Sequence, residues 1–125
     1  MRILLDTHIY LWWLQDDPKL SLACRAKIMA ADEVFISSAT IWEAAIKARL
    51  GKLDANIDML VAEIANNGFT QLPVTATHAA RVVNLPDFHR DPFDRILIAQ
   101  AMVEPLRLIT ADGILKNYSE LVQVL

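Results

Sequence analysis

Short apolar runs alternate with longer amphipathic stretches along the whole chain. The short runs predict strands over residues 2–5, 34–37, 70–74, 107–110 and 121–125. The longer stretches predict helices over residues 7–14, 21–31, 40–50, 56–66, 77–84, 91–104 and 113–117. Because strands separated by helices need crossover connections, the pattern predicts an α/β fold in which helices cover both faces of a parallel sheet.

The composition of the chain fits one globular domain spanning residues 1–125. Hydrophobic residues make up 54% of it, slightly more than is usual, which suggests a buried contact with a partner. Cys24 is the only cysteine, so an internal disulfide and a cysteine zinc site are both excluded. A signal-peptide pattern and a run of about 20 apolar residues are both missing, so we expect a cytoplasmic protein without membrane contact.

Acidic residues stand where the predicted strands end and the predicted helices begin. Asp6 follows the first strand, Glu43 lies in the first turn of the helix after the second strand, and Asp112 follows the strand that ends at residue 110. Asp91 and Asp94 open the long helix. In a parallel sheet the carboxyl ends of the strands meet at one edge, where open α/β sheets bind ligands. We therefore expect these acids to converge at that edge.

Each acid also has an ordinary structural role available to it. Asp6, Asp91 and Asp112 each suit a helix cap. Thr40 and Glu43 have the spacing of a capping box, and Asp94 suits the dipole at a helix start. Taken singly, each acid is better explained in that way. Taken together, four carboxylates at one edge would repel one another, and helix N-termini offset only about 0.3–1 kcal/mol each.

A divalent cation at the sheet edge would relieve that repulsion. Oxygen donors without a cysteine or a histidine pair favour Mg²⁺ or Mn²⁺ over zinc or copper. A site of this kind suits phosphodiester hydrolysis. The net charge of −3 argues against nucleic-acid binding, but less strongly if the acids are gathered around a cation.

Four ordered motifs carry a resemblance to a known family. They are LLDTH at residues 4–8, SSATIWE at 37–43, DPFDRILIAQA at 91–101 and TAD at 110–112. With these motifs the chain resembles PIN-domain nucleases, and among them the VapC toxins of bacterial type II toxin–antitoxin systems. The resemblance extends over essentially the whole chain. It implies a three-layer fold with a five-stranded parallel sheet, and a metal-dependent endoribonuclease activity.

The resemblance also implies partners and site residues. A VapC toxin uses Mg²⁺, with Mn²⁺ as a possible substitute, cleaves RNA, usually forms a homodimer, and is inhibited by a cognate VapB antitoxin. Carried over to this sequence, Asp6 and Asp94 are the direct metal ligands. Glu43 binds the metal or positions its water, and Asp112 completes the cluster. Asp91 is interpreted as a helix cap, and Thr110 matches a small polar position near the site.

The residues around the acids have two interpretations each. Arg95 either holds an RNA phosphate or forms a salt bridge beside the acids. Lys47 is expected to pair with Glu43 four residues earlier. His8 is a weaker candidate for a general base than for a residue of the helix surface. The loop residues His89 and Arg90 either contact RNA or are simply solvated.

The three tryptophans are expected to belong to the core rather than to stack on bases. Trp12 and Trp13 are adjacent in one predicted helix and cannot point the same way, so one of them should lie nearer the surface. We expect that one to help form the antitoxin groove or the dimer interface.

Other protein classes share parts of this pattern. A phosphorelay receiver domain needs paired acids after the first strand and a phosphoacceptor after the third, whereas residues 75–77 read Thr-Ala-Thr. A phosphatase of the Asp-x-Asp type is excluded because Thr7 and His8 follow Asp6. The alternative that stays open is a non-catalytic PIN-fold module that binds RNA or protein.

Overall fold

The computed structural model of the chain describes residues 1–88 and 91–125. The strands are β1 (Arg2–Leu5), β2 (Glu33–Ser37), β3 (Thr70–Leu72), β4 (Arg107–Thr110) and β5 (Val122–Val124). The α-helices are α1 (Thr7–Gln15), α2 (Leu22–Ala30), α3 (Ser38–Arg49), α4 (Ile57–Asn66), α5 (Ala76–Arg81) and α6 (Pro92–Val103). Short 3₁₀ helices follow at Val82–Asn84 and Gly113–Tyr118.

The five strands form one parallel sheet with the order β3-β2-β1-β4-β5. This confirms the predicted α/β class. The chain builds the sheet outward from β1 to β3 and then crosses to the other side of β1 to form β4. The carboxyl ends of β1 and β4 therefore flank the point where the winding direction reverses, which is where open α/β sheets bind ligands.

Apolar side chains pack on both faces of the sheet. In β1, Ile3 and Leu5 point into a cluster with Ile9 of α1 and Cys24 of α2. Leu4 points the opposite way, into a cluster that contains Leu97 of α6. Because both faces are covered, the central strands are apolar at consecutive positions rather than alternately polar.

Several element boundaries differ from the sequence prediction. Helix α3 begins at Ser38 rather than at residue 40, because the Ser37 side chain caps it by accepting a hydrogen bond from the Ala39 amide at 3.0 Å. Glu43 consequently lies in the second turn of α3, not in the first, and the expected capping box with Thr40 is not formed. Strand β3 ends at Leu72, before Pro73, which has no amide proton for the ladder. The helix expected over residues 77–84 begins at Ala76 and ends in a 3₁₀ turn.

The tryptophans are less buried than expected. Trp42 is 64% exposed, so the prediction that it belongs to the core is wrong. Trp12 and Trp13 are both partly buried against the cluster on the α1 face, and the indole of Trp13 donates to the Asn67 side chain at 3.0 Å. Within residues 1–88 and 91–125, no helix has both the length and the apolar character needed to cross a membrane.

Candidate active site

Asp6 lies directly after β1, at the point where the winding of the sheet reverses. Its Oδ1 accepts a hydrogen bond from the Ile9 amide at 2.9 Å, so the residue caps α1. Its Oδ2 accepts a hydrogen bond from the hydroxyl of Thr110, the last residue of β4, at 2.5 Å. The side chain is thereby fixed between the two strands that flank the reversal point.

Burial raises the pKa of Asp6 above the ordinary value of 3.8. The hydrogen bonds from Thr110 and Ile9 and the nearby His8 oppose that rise, whereas the negative charge of Glu43 adds to it. Asp6 and Glu43 are therefore close enough to repel each other. A cation between or beside them would stabilise both charges.

Glu43 is buried, and both of its oxygens have partners. The Thr7 hydroxyl donates to Oε1 at 2.7 Å, and the Lys47 ammonium lies 2.8 Å from Oε2. The pair with Lys47 was predicted from the four-residue spacing on α3. The bond from Thr7 was not predicted, because it joins residues that are 36 positions apart.

Asp112 reaches the same region through Thr110. The Asp112 amide donates to the Thr110 hydroxyl oxygen at 3.0 Å, and that hydroxyl donates onward to Asp6. The Asp112 carboxylate accepts from the Ile114 amide at 3.0 Å and so caps the 3₁₀ helix Gly113–Tyr118. Thr110 thus links two of the predicted site acids.

Asp91 and Asp94 lie at the start of α6, a helix that packs against α3 and β4. The Asp91 carboxylate accepts from the amides of Phe93 and Asp94 at 2.8 and 3.2 Å, which is the cap expected from the sequence. Asp94 is half-buried in the first turn, where the helix dipole favours a negative charge. The two acids therefore occupy different positions at the same helix end.

Thr110 links Asp6 with Asp112, and the charge of Glu43 acts on Asp6, whereas Asp94 lies in the first turn of α6. Among residues 1–88 and 91–125, no three side chains of His, Cys, Asp or Glu are placed so that they could hold a metal ion together. Mg²⁺ commonly takes only one or two protein carboxylates and completes its shell with waters and substrate phosphate. The buried carboxyl oxygens of Asp6 and Glu43 are donors of the type that such a partly hydrated cation takes.

Arg95 has a role that the sequence did not indicate. Its guanidinium donates to the carbonyls of Pro86, Leu85 and Val82 at 2.8, 3.2 and 3.3 Å. These bonds tie the segment before α6 to the helix. His8 is exposed on α1 with its ring 6.0 Å from that of Trp12, as a helix-surface residue would be. His89 and Arg90, the predicted RNA contacts, lie outside the described residues.

The five-stranded parallel sheet covered by helices is the fold of a PIN domain. The chain belongs to the PIN domain family, whose model matches residues 3–121. A curated relative, Ribonuclease VapC22 of Mycobacterium tuberculosis, is 32% identical over 119 residues, which are 93% of this chain and 91% of the relative.

Solved structures of low sequence identity share the fold. VapBC2 from Rickettsia felis, bound to a DNA fragment from its promoter, has a TM-score of 0.72 at 16% identity over 100% of this chain and 99% of that chain. A toxin–antitoxin complex from Klebsiella pneumoniae has a TM-score of 0.68 at 21% identity over 98% and 96% of the two chains. FitAB bound to a DNA fragment has a TM-score of 0.65 at 18% identity over 99% and 94%.

Proposed function

We propose that this PIN domain is a metal-dependent endoribonuclease that acts as the toxin of a type II toxin–antitoxin system in the cytoplasm. The observation that carries the proposal is the buried pair Asp6 and Glu43 at the reversal point of the sheet. Burial raises the pKa of Asp6 and Glu43 adds to that rise, and buried acids with perturbed pKa values are typical of functional sites. The 32% identity to a ribonuclease supports RNA cleavage as that function.

The proposed reaction divides its tasks among four acids. Asp6 and Asp94 would hold Mg²⁺, or Mn²⁺ in its place, with Glu43 and Asp112 completing the site. The bound cation would supply an activated water and a counter-charge for the leaving oxygen of the phosphodiester. Thr110 and Thr7 hold the Asp6 and Glu43 carboxylates in fixed orientations, so little reorganisation is needed when RNA arrives.

Removal of the cation tests this function. Purified protein should cleave RNA in Mg²⁺, lose cleavage in EDTA, and regain it when Mg²⁺ or Mn²⁺ is restored, as gel analysis of the RNA would show. Failure to cleave any RNA with either metal, by protein that remains folded, would favour the non-catalytic binding module.

We further propose that a VapB-type antitoxin inhibits the chain. The proposal rests on similarity to a VapC ribonuclease and on a fold shared with toxin–antitoxin complexes. Growth arrest on expression of the chain, relieved by co-expression of the protein encoded next to it, is the expected result.

An apolar groove supports the expected homodimer. It measures about 730 Å³, and its walls include Trp42, Val74, Val82, Phe93 and Ile96. We propose that a second copy of the chain covers it, because an exposed apolar surface that includes a tryptophan can pack against the same surface of another copy, as in two-fold dimers. Light scattering should give a dimer mass for the parent and a monomer mass for Trp42→Glu.

A further inference from the structure

A second, more polar cavity lies between the end of α3 and the start of α6. Its volume is about 260 Å³. Its walls include Glu43 and Lys47 of α3, Lys52 in the turn after it, and Asp91 and Phe93 at the start of α6. Glu43 belongs both to this cavity and to the candidate active site, so the cavity adjoins the site. The volume is below the roughly 300–1,000 Å³ of pockets that enclose a small ligand, which suits a short piece of a longer polymer.

Lys47 stands at the boundary between the cavity and the site. Its ammonium pairs with Glu43 at 2.8 Å, and its side chain is 36% exposed. An ammonium group carries three donors, so the pair with Glu43 leaves it able to bind a second anion from the cavity side. Lys47 can therefore bind Glu43 and an incoming phosphate at the same time.

The end of α3 brings Lys52 beside Lys47. The Lys52 amide donates to the Lys47 carbonyl at 2.9 Å, and the Gly51 amide donates to the Ala48 carbonyl at 3.1 Å. This pair of bonds is a Schellman motif, and it requires the positive φ of +73° that Gly51 adopts. The motif fixes the backbone from which the Lys52 side chain reaches the cavity wall.

We infer that Lys47 and Lys52 bind a backbone phosphate of single-stranded RNA next to the phosphate that is cleaved. This inference rests on the proposed ribonuclease function and names the part of the chain that holds the substrate. A protein of net charge −3 with acids at its reaction centre repels RNA, so binding needs cationic groups close to that centre. The cavity wall also carries two carboxylates, but Lys47 pairs with that of Glu43, and the amides at the start of α6 donate to that of Asp91. Lys52 and the exposed side of Lys47 therefore supply the positive charge that RNA needs here.

Lys52 is the better residue to change, because replacing Lys47 would also disturb Glu43. The probe is a fluorescein-labelled oligouridylate, measured by fluorescence anisotropy in EDTA so that cleavage cannot occur. Lys52→Ala should weaken binding roughly three- to eightfold at about 50 mM salt and reduce the slope of log Kd against log salt by about 0.7. Lys52→Arg should bind like the parent, because it keeps the positive charge.

Lys27→Ala is the matched control, since Lys27 lies in the last turn of α2, which leads into the start of β2 at the opposite edge of the sheet. The inference is overturned if Lys52→Ala changes affinity and slope no more than Lys27→Ala, or if the parent does not bind the probe. With Mg²⁺ present, Lys52→Ala should raise KM and leave kcat unchanged.

The two proposals fail separately. If Lys52→Ala binds the probe normally and the parent shows metal-dependent cleavage, the proposed phosphate site is refuted and the ribonuclease function stands. If Lys52→Ala binds the probe more weakly and the parent cleaves no RNA, the ribonuclease function is refuted and the cavity is an RNA-binding site only.

Discussion

The carboxylate of Asp6 lies almost entirely out of contact with water, beside a second buried acid. Burial raises its pKa above 3.8, so the folded chain holds the proton more tightly than the unfolded chain does. The stability linked to this group is therefore present below about pH 3.8 and is lost as the pH rises through the folded-state pKa. Above pH 3.8 the buried Asp6 carboxyl therefore contributes progressively less to the stability of the fold.

Asp6→Asn should consequently raise the free energy of unfolding in EDTA at pH 7 by about 1 kcal/mol, because it removes a titratable group that burial disfavours and keeps an acceptor for the Ile9 amide. Mg²⁺ should raise the melting temperature of the parent and leave that of Asp6→Asn unchanged. Thermal unfolding with and without Mg²⁺ measures both effects. A variant that is less stable than the parent in EDTA would show that the Asp6 charge is already compensated.

The side-chain contacts of the site could be predicted from sequence only where the two residues are close together in the chain. The cap at Asp91 and the pair of Lys47 with Glu43 span three or four positions, and both were expected. The bond from Thr7 to Glu43 joins two elements, and no sequence pattern indicates it. The signal that was overlooked is a threonine directly after Asp6, where a hydroxyl enters the site together with the acid.

At the scale of elements, Arg95 joins α6 to the segment that precedes it. Three carbonyls of the segment accept its hydrogen bonds, and its guanidinium lies 3.7 Å from the Asp87 carboxylate. The start of α6, which carries Asp94, is thereby held against the 3₁₀ helix Val82–Asn84. Arginine suits this task because its planar fork can donate to several acceptors at once.

Arg95→Ala should lower the free energy of unfolding by about 2–3 kcal/mol, because it leaves carbonyls without their donor. Arg95→Lys should restore only part of that loss. Arg81→Ala, at an exposed position of α5, is the control and should change stability by less than about 0.5 kcal/mol. Urea denaturation that gives equal stability for the alanine variants of Arg95 and Arg81 would contradict this role.

Element boundaries were predictable to within a few residues, and the exceptions have local causes. Helix α3 starts two positions early because Ser37 caps it, although Thr40 had the stronger sequence signature. Trp42 was expected in the core because tryptophans more often lie there than stack on bases, but it lies on the exposed side of α3 with its ring 5.2 Å from that of Phe93. The spacing of apolar residues along this short, mostly apolar helix does not indicate which face is buried.

At the scale of the whole molecule, strand order decides which acids meet. Alternating strands and helices predicted a parallel sheet and one edge for the acids, but several strand orders satisfy that pattern. The order β3-β2-β1-β4-β5 places Asp6 beside Thr110, and through it beside Asp112. Order depends on contacts between distant parts of the chain, so the local pattern did not predict it, and the family resemblance gave the number of strands but not their order.

The central claim is that RNA cleavage needs the predicted site acids at this sheet edge, and not simply any carboxylate close to them. Asp94→Asn and Asp91→Asn test it most directly, because each removes one charge from the same end of α6 and asparagine caps a helix as well as aspartate does. Cleavage of RNA in Mg²⁺ should fall at least about a hundredfold for Asp94→Asn and stay close to the parent for Asp91→Asn. Equal cleavage by Asp94→Asn and the parent, with the fold intact, would contradict the account.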